Sequence, residues 1–166
     1  MRGTLLLQVK NKNGHIVATR KNGNAVMRSG GELIARLFAG QGAPITHMGV
    51  GTSDAREPDN FSTANLTNDT NDPDTALSGP TEVPLAAEVF QIIPDEVKRV
   101  IKVRVRGTLP DAAAVGVIRE AGLLSIDGND KTLYNRVTFA PVTKEDDHEL
   151  TMFWEVSFPF GDLQWF

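Results

Sequence analysis

Glu149-Leu-Thr-Met-Phe-Trp-Glu-Val-Ser-Phe158 puts Leu150, Met152, Trp154, Val156 and Phe158 at every second position. Glu149, Thr151, Phe153, Glu155 and Ser157 lie between them. Successive side chains of a strand point to opposite faces, so this spacing predicts a half-buried antiparallel strand. Two segments lead into it. Val117-Ile-Arg-Glu-Ala-Gly-Leu-Leu-Ser-Ile126 reads as a strand, a polar turn follows, and Thr132-Leu-Tyr-Asn-Arg-Val-Thr-Phe139 reads as the next one. Glu145-Asp-Asp-His148 is polar and turn-like, and belongs to a hairpin tip before Leu150.

Further upstream, Lys98-Arg-Val-Ile-Lys-Val-Arg-Val-Arg106 alternates in the same way. Ile101, Val103 and Val105 share one face, and Lys102, Arg104 and Arg106 the other. At the amino terminus Thr4–Lys10 and His15–Arg20 flank Asn11-Lys-Asn-Gly14, where Asn and Gly tolerate the positive φ of a tight hairpin. Lys21–Asn24 reads as a second turn. One segment has a helical period: Glu32-Leu-Ile-Ala-Arg-Leu-Phe-Ala39, with Leu33, Ile34, Leu37 and Phe38 on one side. Ser29 with Glu32 fits a capping box, and Gly40 a stop. Ile45–Gly51 is a further strand, in which Gly49 and Gly51 mark a bulge or a close backbone approach. Leu85–Ile93 resumes apolar content and ends at Pro94. The expected fold is therefore one mainly antiparallel β-sandwich or barrel-like domain over residues 1–166, with one helix near residues 29–39.

Composition narrows the chemistry. The chain has 166 residues, enough to bury a genuine core, and no cysteine, which excludes disulfides, thiolate nucleophiles and Cys-ligated metals. That also favours folding in a reducing cytosol. The net charge is −4 with a pI near 5.4, which argues against non-specific nucleic-acid binding. The apolar run at Leu5–Leu7 is too short for a signal-peptide core or a membrane span.

Residues 52–84 carry no apolar period, and so form a long irregular loop of the kind that is functional or disordered. Between residues 54 and 88 eight acids face one base, Arg56, a balance of −7 that leaves +3 for the rest of the chain. An acidic arm lying on a basic neighbouring surface, and ordering only on assembly, is expected, with Asp69, Asp72 and Asp74 as contact residues. A calcium loop is the alternative, but its spacing fails where Pro73 and Asp74 stand. Three Asn-x-Ser/Thr sequons in this stretch lack a secretory context. Gly49-Val-Gly51 lacks the third glycine and the following helix of a dinucleotide site. The stripe Lys102, Arg104, Arg106 has no interleaved aromatic to stack bases, and reads as a solvated face or a docking surface for an acidic partner. His15, His47 and His148 stand on separate segments without metal-ligand spacing, and no nucleophile elbow or phosphate loop occurs. Paired carboxylates could hydrolyse a sugar, but these acids crowd into loops with no aromatic platform beside them. No catalytic residue, cofactor or metal is expected.

The order of these segments resembles a family of bacteriophage tail and baseplate proteins, including the amino-terminal attachment domains of tail fibres. Ile45-Thr-His-Met-Gly-Val-Gly-Thr-Ser53 is similar to that family's strand into Gly-x-Gly-Thr. Lys98–Arg106 takes the place of its long alternating strand. Ile118-Arg-Glu-Ala-Gly-Leu-Leu124 is similar to its Ile-x-Glu-x-Gly-Leu-Phe element, with Leu124 in the Phe position. Thr132-Leu-Tyr134, Val142-Thr-Lys144 and Leu150–Phe158 complete the series.

The resemblance implies a non-enzymatic part of the virion tail, made in the bacterial host cytoplasm. Its partners would be copies of itself and other phage tail, baseplate, neck or fibre proteins, with no nucleic acid and no membrane. Contractile injection systems use related components. A chain that stops at Phe166 is shorter than a fibre, which suggests a ring subunit or an adaptor that receives one. The carboxy-terminal tail, residues 159–166, carries Leu163, Trp165 and Phe166, and aromatics of this kind are the usual interface anchors. A carbohydrate- or receptor-binding module is the alternative reading; it would want clustered exposed aromatics, where the loops offer little beyond Phe61.

Overall fold

A computed structural model describes residues 2–162, with the side chain of Arg2 outside the description. Leu163, Trp165 and Phe166 lie outside the described residues. The elements in chain order are β1 (Arg2–Lys10), β2 (Ile16–Gly23), β3 (Ala25–Val26), α1 (Arg28–Phe38), β4 (His47–Gly51) and β5 (Glu82–Pro84). A single 3-10 turn (Ala87–Val89) leads to β6 (Phe90–Asp95), β7 (Val100–Leu109), β8 (Gly116–Asp127), β9 (Asp130–Leu133), β10 (Asn135–Lys144) and β11 (Glu149–Pro159). One sheet has the order β2-β1-β11-β7-β6; the other has β3-β10-β8-β4-β5, with β9 also on β8. Every pairing is antiparallel and both sheets keep open edges, so the fold is a β-sandwich with one helix, not a closed barrel.

The expected inward face of β11 is the centre of the core. Trp154 lies between Leu5 of β1 and Val105 of β7, Met152 beside Leu7, and Leu150 between Val9 and Leu109. All eight of these side chains are buried, and Val156 with them, whereas Phe158 is only half-buried. Met48, Val50, Ala121, Leu123, Val137, Phe139 and Val142 of the second sheet close the core from the other side. Each fully buried Leu, Val or Met stabilises by about 1.5–3 kcal/mol relative to exposure, so this layer supplies most of the driving force. Gly107 brings the sheets together: a Cβ there would stand 2.6 Å from the sulfur of Met48. Arg20 of β2 reaches across to β10 and donates to the carbonyls of Ala140 and Pro141, 2.8 Å each. Those carbonyls are free because β10 bulges between Thr138 and Val142.

Several boundaries differ from the sequence expectation. β2 continues through Gly23, pairing Lys21 with Leu6 and Gly23 with Thr4, so Lys21–Asn24 is not a turn. The strand expected at Thr132–Phe139 is two strands along one edge of β8. Asn135 inserts its side chain into the ladder there, and its Oδ1 accepts the Leu123 N–H at 2.8 Å. The capping box is not formed. The helix starts at Arg28 after Met27, whose side chain is buried against Leu124 and Leu133. Ser29 lies inside the first turn and donates to the Leu133 carbonyl at 2.6 Å, while Glu32 pairs with Arg28. Packing of Met27 sets the start of the helix. Gly30 lets the first turn touch the backbone of Tyr134, where a Cβ would sit 2.7 Å from the carbonyl carbon. Leu33, Ile34 and Leu37 face the core, whereas Phe38 is 96% exposed. Gly40, at φ +74°, ends the helix as expected.

Candidate functional site

The long loop is not a free arm in the single chain. Its hub is Glu120 of β8, which is fully buried. One carboxylate oxygen accepts the Thr67 N–H at 2.6 Å and the Ser53 N–H at 3.4 Å; the other accepts from Nε of Arg136. Arg136 in turn donates to Glu57 and to the carbonyls of Ala55 and Ser53. Burial works against the Arg136 charge. The hydrogen bonds and charges of Glu57 and Glu120 outweigh it and hold its pKa above the ordinary guanidinium value. Both ends of the loop's first half, 53–57 and 67, are thereby tied to β8 and β10.

Glycines make room for this closure. Gly51 lies opposite Glu120, and a Cβ there would stand 2.7 Å from the Thr67 carbonyl oxygen. Gly49 lies opposite Gly122, and Leu66 from the loop packs over both. The close approach expected at Gly49 and Gly51 is therefore real, and its cause is the loop itself. The loop covers the outer face of the second sheet, beside the Met27, Leu124 and Leu133 cluster.

Asp69, Asp72 and Asp74 stand on a compact tip of the loop. Asp69 Oδ1 accepts the Asn71 N–H at 2.9 Å, and Asp72 Oδ1 accepts the Asp74 N–H at 3.0 Å. The Thr75 side chain, then the Asp74 N–H, hold the Asp72 carboxyl below the usual range. The base of the tip is closed by Asn68, whose side-chain amide pairs with both backbone groups of Leu77. Ser78 bridges to Val115 beyond it, and Leu77 is buried. The tip thus has its own hydrogen bonds and a tie to the start of β8.

The cationic stripe of β7 lies on the outer face of the five-stranded sheet, as expected, but two of its three charges have partners. Lys102 pairs with Asp95 at 3.1 Å, and Arg104 with Glu155 at 2.8 Å. The Lys98 N–H, then Lys102, lower the Asp95 pKa. Arg106 has no carboxylate within ion-pairing distance among the described residues. It borders a cleft of about 780 Å³ that Thr4, Leu6, Lys21, Gln91 and Phe153 also line.

Sequence reasoning missed the buried charges. A lone acid in Val117–Ile126 and a lone base in Thr132–Phe139 were the available signal, since a charge in a buried strand needs a partner. Lys144 is similar: fully buried at the end of β10, it donates from Nζ to the Pro110 and Asp111 carbonyls at 2.9 Å each. Burial lowers its pKa, against the charges of Asp111 and Glu149. Among the described residues no three His, Cys, Asp or Glu side chains gather as a metal site, and no helix is long and apolar enough to cross a membrane.

No protein-family model, no curated protein and no solved structure matches the chain. The functional reading therefore rests on the residues themselves.

Proposed function

We propose that this chain is a non-enzymatic structural subunit of a phage tail, baseplate or neck. It assembles as an oligomeric ring piece or as an adaptor for a fibre or a neighbouring tail protein, and its place is the virion. One observation carries the reading furthest. The segments whose order resembles the phage family, Ile45–Ser53 and Ile118–Leu124, pair as β4 and β8, and Glu120 of one closes the loop that leaves the other. The resembling pieces thus form one physical unit, a sheet that presents a tied-down loop. The contact surfaces are the acidic tip, the outer face of β7, and Leu163, Trp165 and Phe166 as aromatic anchors on a partner.

Co-expression with the products of the neighbouring reading frames tests this. The expected result is co-purification with a tail protein and ring-shaped particles in negative stain; deletion of Leu163–Phe166 weakens both. The carbohydrate-binding alternative has Phe153, an exposed aromatic that lines the cleft, in its favour. Specific retention of the isolated chain on host glycans, with no tail protein bound, would make that the primary role.

A further inference from the structure

The register of the five-stranded sheet sets Lys21, Leu6, Phe153 and Arg106 side by side across β2, β1, β11 and β7. Two cations therefore flank an apolar pair in one row. Adjacent strands stand about 4.8 Å apart, so the two cationic positions are separated by roughly 14 Å. Glu88 and Glu155 also line this cleft, but Glu155 is taken by Arg104. Lys21 and Arg106 have no ion-pair partner among the described residues, and Phe153 is 36% exposed between them.

The loop tip of the same chain gathers three carboxylates, Asp69, Asp72 and Asp74, around Pro73, and none of the three has a cationic partner among the described residues. Their tip is held in shape by its own turns and by Asn68, so little ordering entropy opposes its docking. It is tied to Val115 at the start of β8 in the other sheet. The loop that bears it covers the outer side of that sheet, whereas the cleft opens on the opposite side of the sandwich.

We infer that the cleft receives the Asp69–Asp74 tip of a second copy of this chain, with carboxylates facing Lys21 and Arg106 and Pro73 over Leu6 and Phe153. The two surfaces differ, so the contact is heterologous and propagates head to tail, closing into a ring if the rotation allows. The inference rests on the assembling role proposed above and names the surfaces that would carry it.

Charge exchange tests it by sedimentation velocity on purified full-length chains. Wild type is expected to self-associate, less so at high salt. Lys21→Glu/Arg106→Glu in one chain and Asp74→Lys in another should each abolish association. Asp69 and Asp72 are left in place because they hold the turn. Mixing the two variants, or combining all three substitutions in one chain, should restore association. A monomeric wild type overturns the inference. So does either reversed chain that associates like wild type, or a folded three-substitution chain that stays monomeric. Co-purification with a tail protein is read separately, so the contact can fail while the virion role stands.

Discussion

Arg136 on β10 donates from Nε to the Glu120 carboxylate on β8 at 2.5 Å, and the two residues are 4% and 0% exposed. Glu57, from the long loop, completes the pair on the other side of the guanidinium. Buried charge pairs are poor sources of net stability, but breaking one leaves an uncompensated charge in the interior. Here the pair also spends its remaining hydrogen bonds on loop backbone at Ser53, Ala55 and Thr67.

Arg136→Ala should therefore destabilise by about 3–5 kcal/mol in urea titration. Glu120→Gln should destabilise too, and the double variant by less than the sum, because the residues act on each other. Hydrogen exchange at the Thr67 N–H should accelerate in both single variants more than exchange in β11. Unchanged protection at Thr67 would mean that Leu66 packing alone holds the loop.

Two adjacent glycines of α1 should respond with opposite signs. Gly30→Ala drives a methyl against the Tyr134 carbonyl and should destabilise by about 1–3 kcal/mol. Gly31→Ala meets nothing within 4 Å and should stabilise by about 0.5–1 kcal/mol through helix propensity. Thermal denaturation of the two variants checks both signs. Equal shifts would place the start of the helix elsewhere than against β10.

Tyr134 is the only tyrosine, so phenolate absorbance reports it alone. Burial pushes its pKa up to about 12. An unfolded chain ionises near pH 10, so the folded state loses stability between about pH 10 and 12, by roughly 2–3 kcal/mol. Below pH 10 this contribution is fully present. Tyr134→Phe should flatten the stability profile over that window, while wild type titrates late when folded and near pH 10 in denaturant.

The fold was legible where one face of a strand meets water. β7 and β11 alternate cleanly because their outer faces carry Lys102, Arg104, Glu155 and Thr151, so a period of two is visible. The split between β9 and β10 was not legible, since Asn135 replaces a backbone group with its own side chain and leaves the apolar pattern intact. The helix start was misread for a related reason: a local rule about Ser29 was overridden by the burial of Met27. At the candidate site Gly49 and Gly51 could be read as a close approach, but the loop residues that approach them could not. Glu57, Glu120 and Arg136 are far apart along the chain, and only the pairing of β4, β8 and β10 brings them together. The stripe on β7 was found, yet its cross-strand neighbours Lys21 and Phe153 depend on a register that no single segment reveals.

The central claim is that this sandwich is built to assemble. Its most direct test is negative-stain imaging and sedimentation of the full chain, alone and co-expressed with neighbouring gene products. The account predicts discrete oligomers or a stable complex with a tail protein. A chain that stays monomeric under both conditions, and is absent from purified particles, would contradict it.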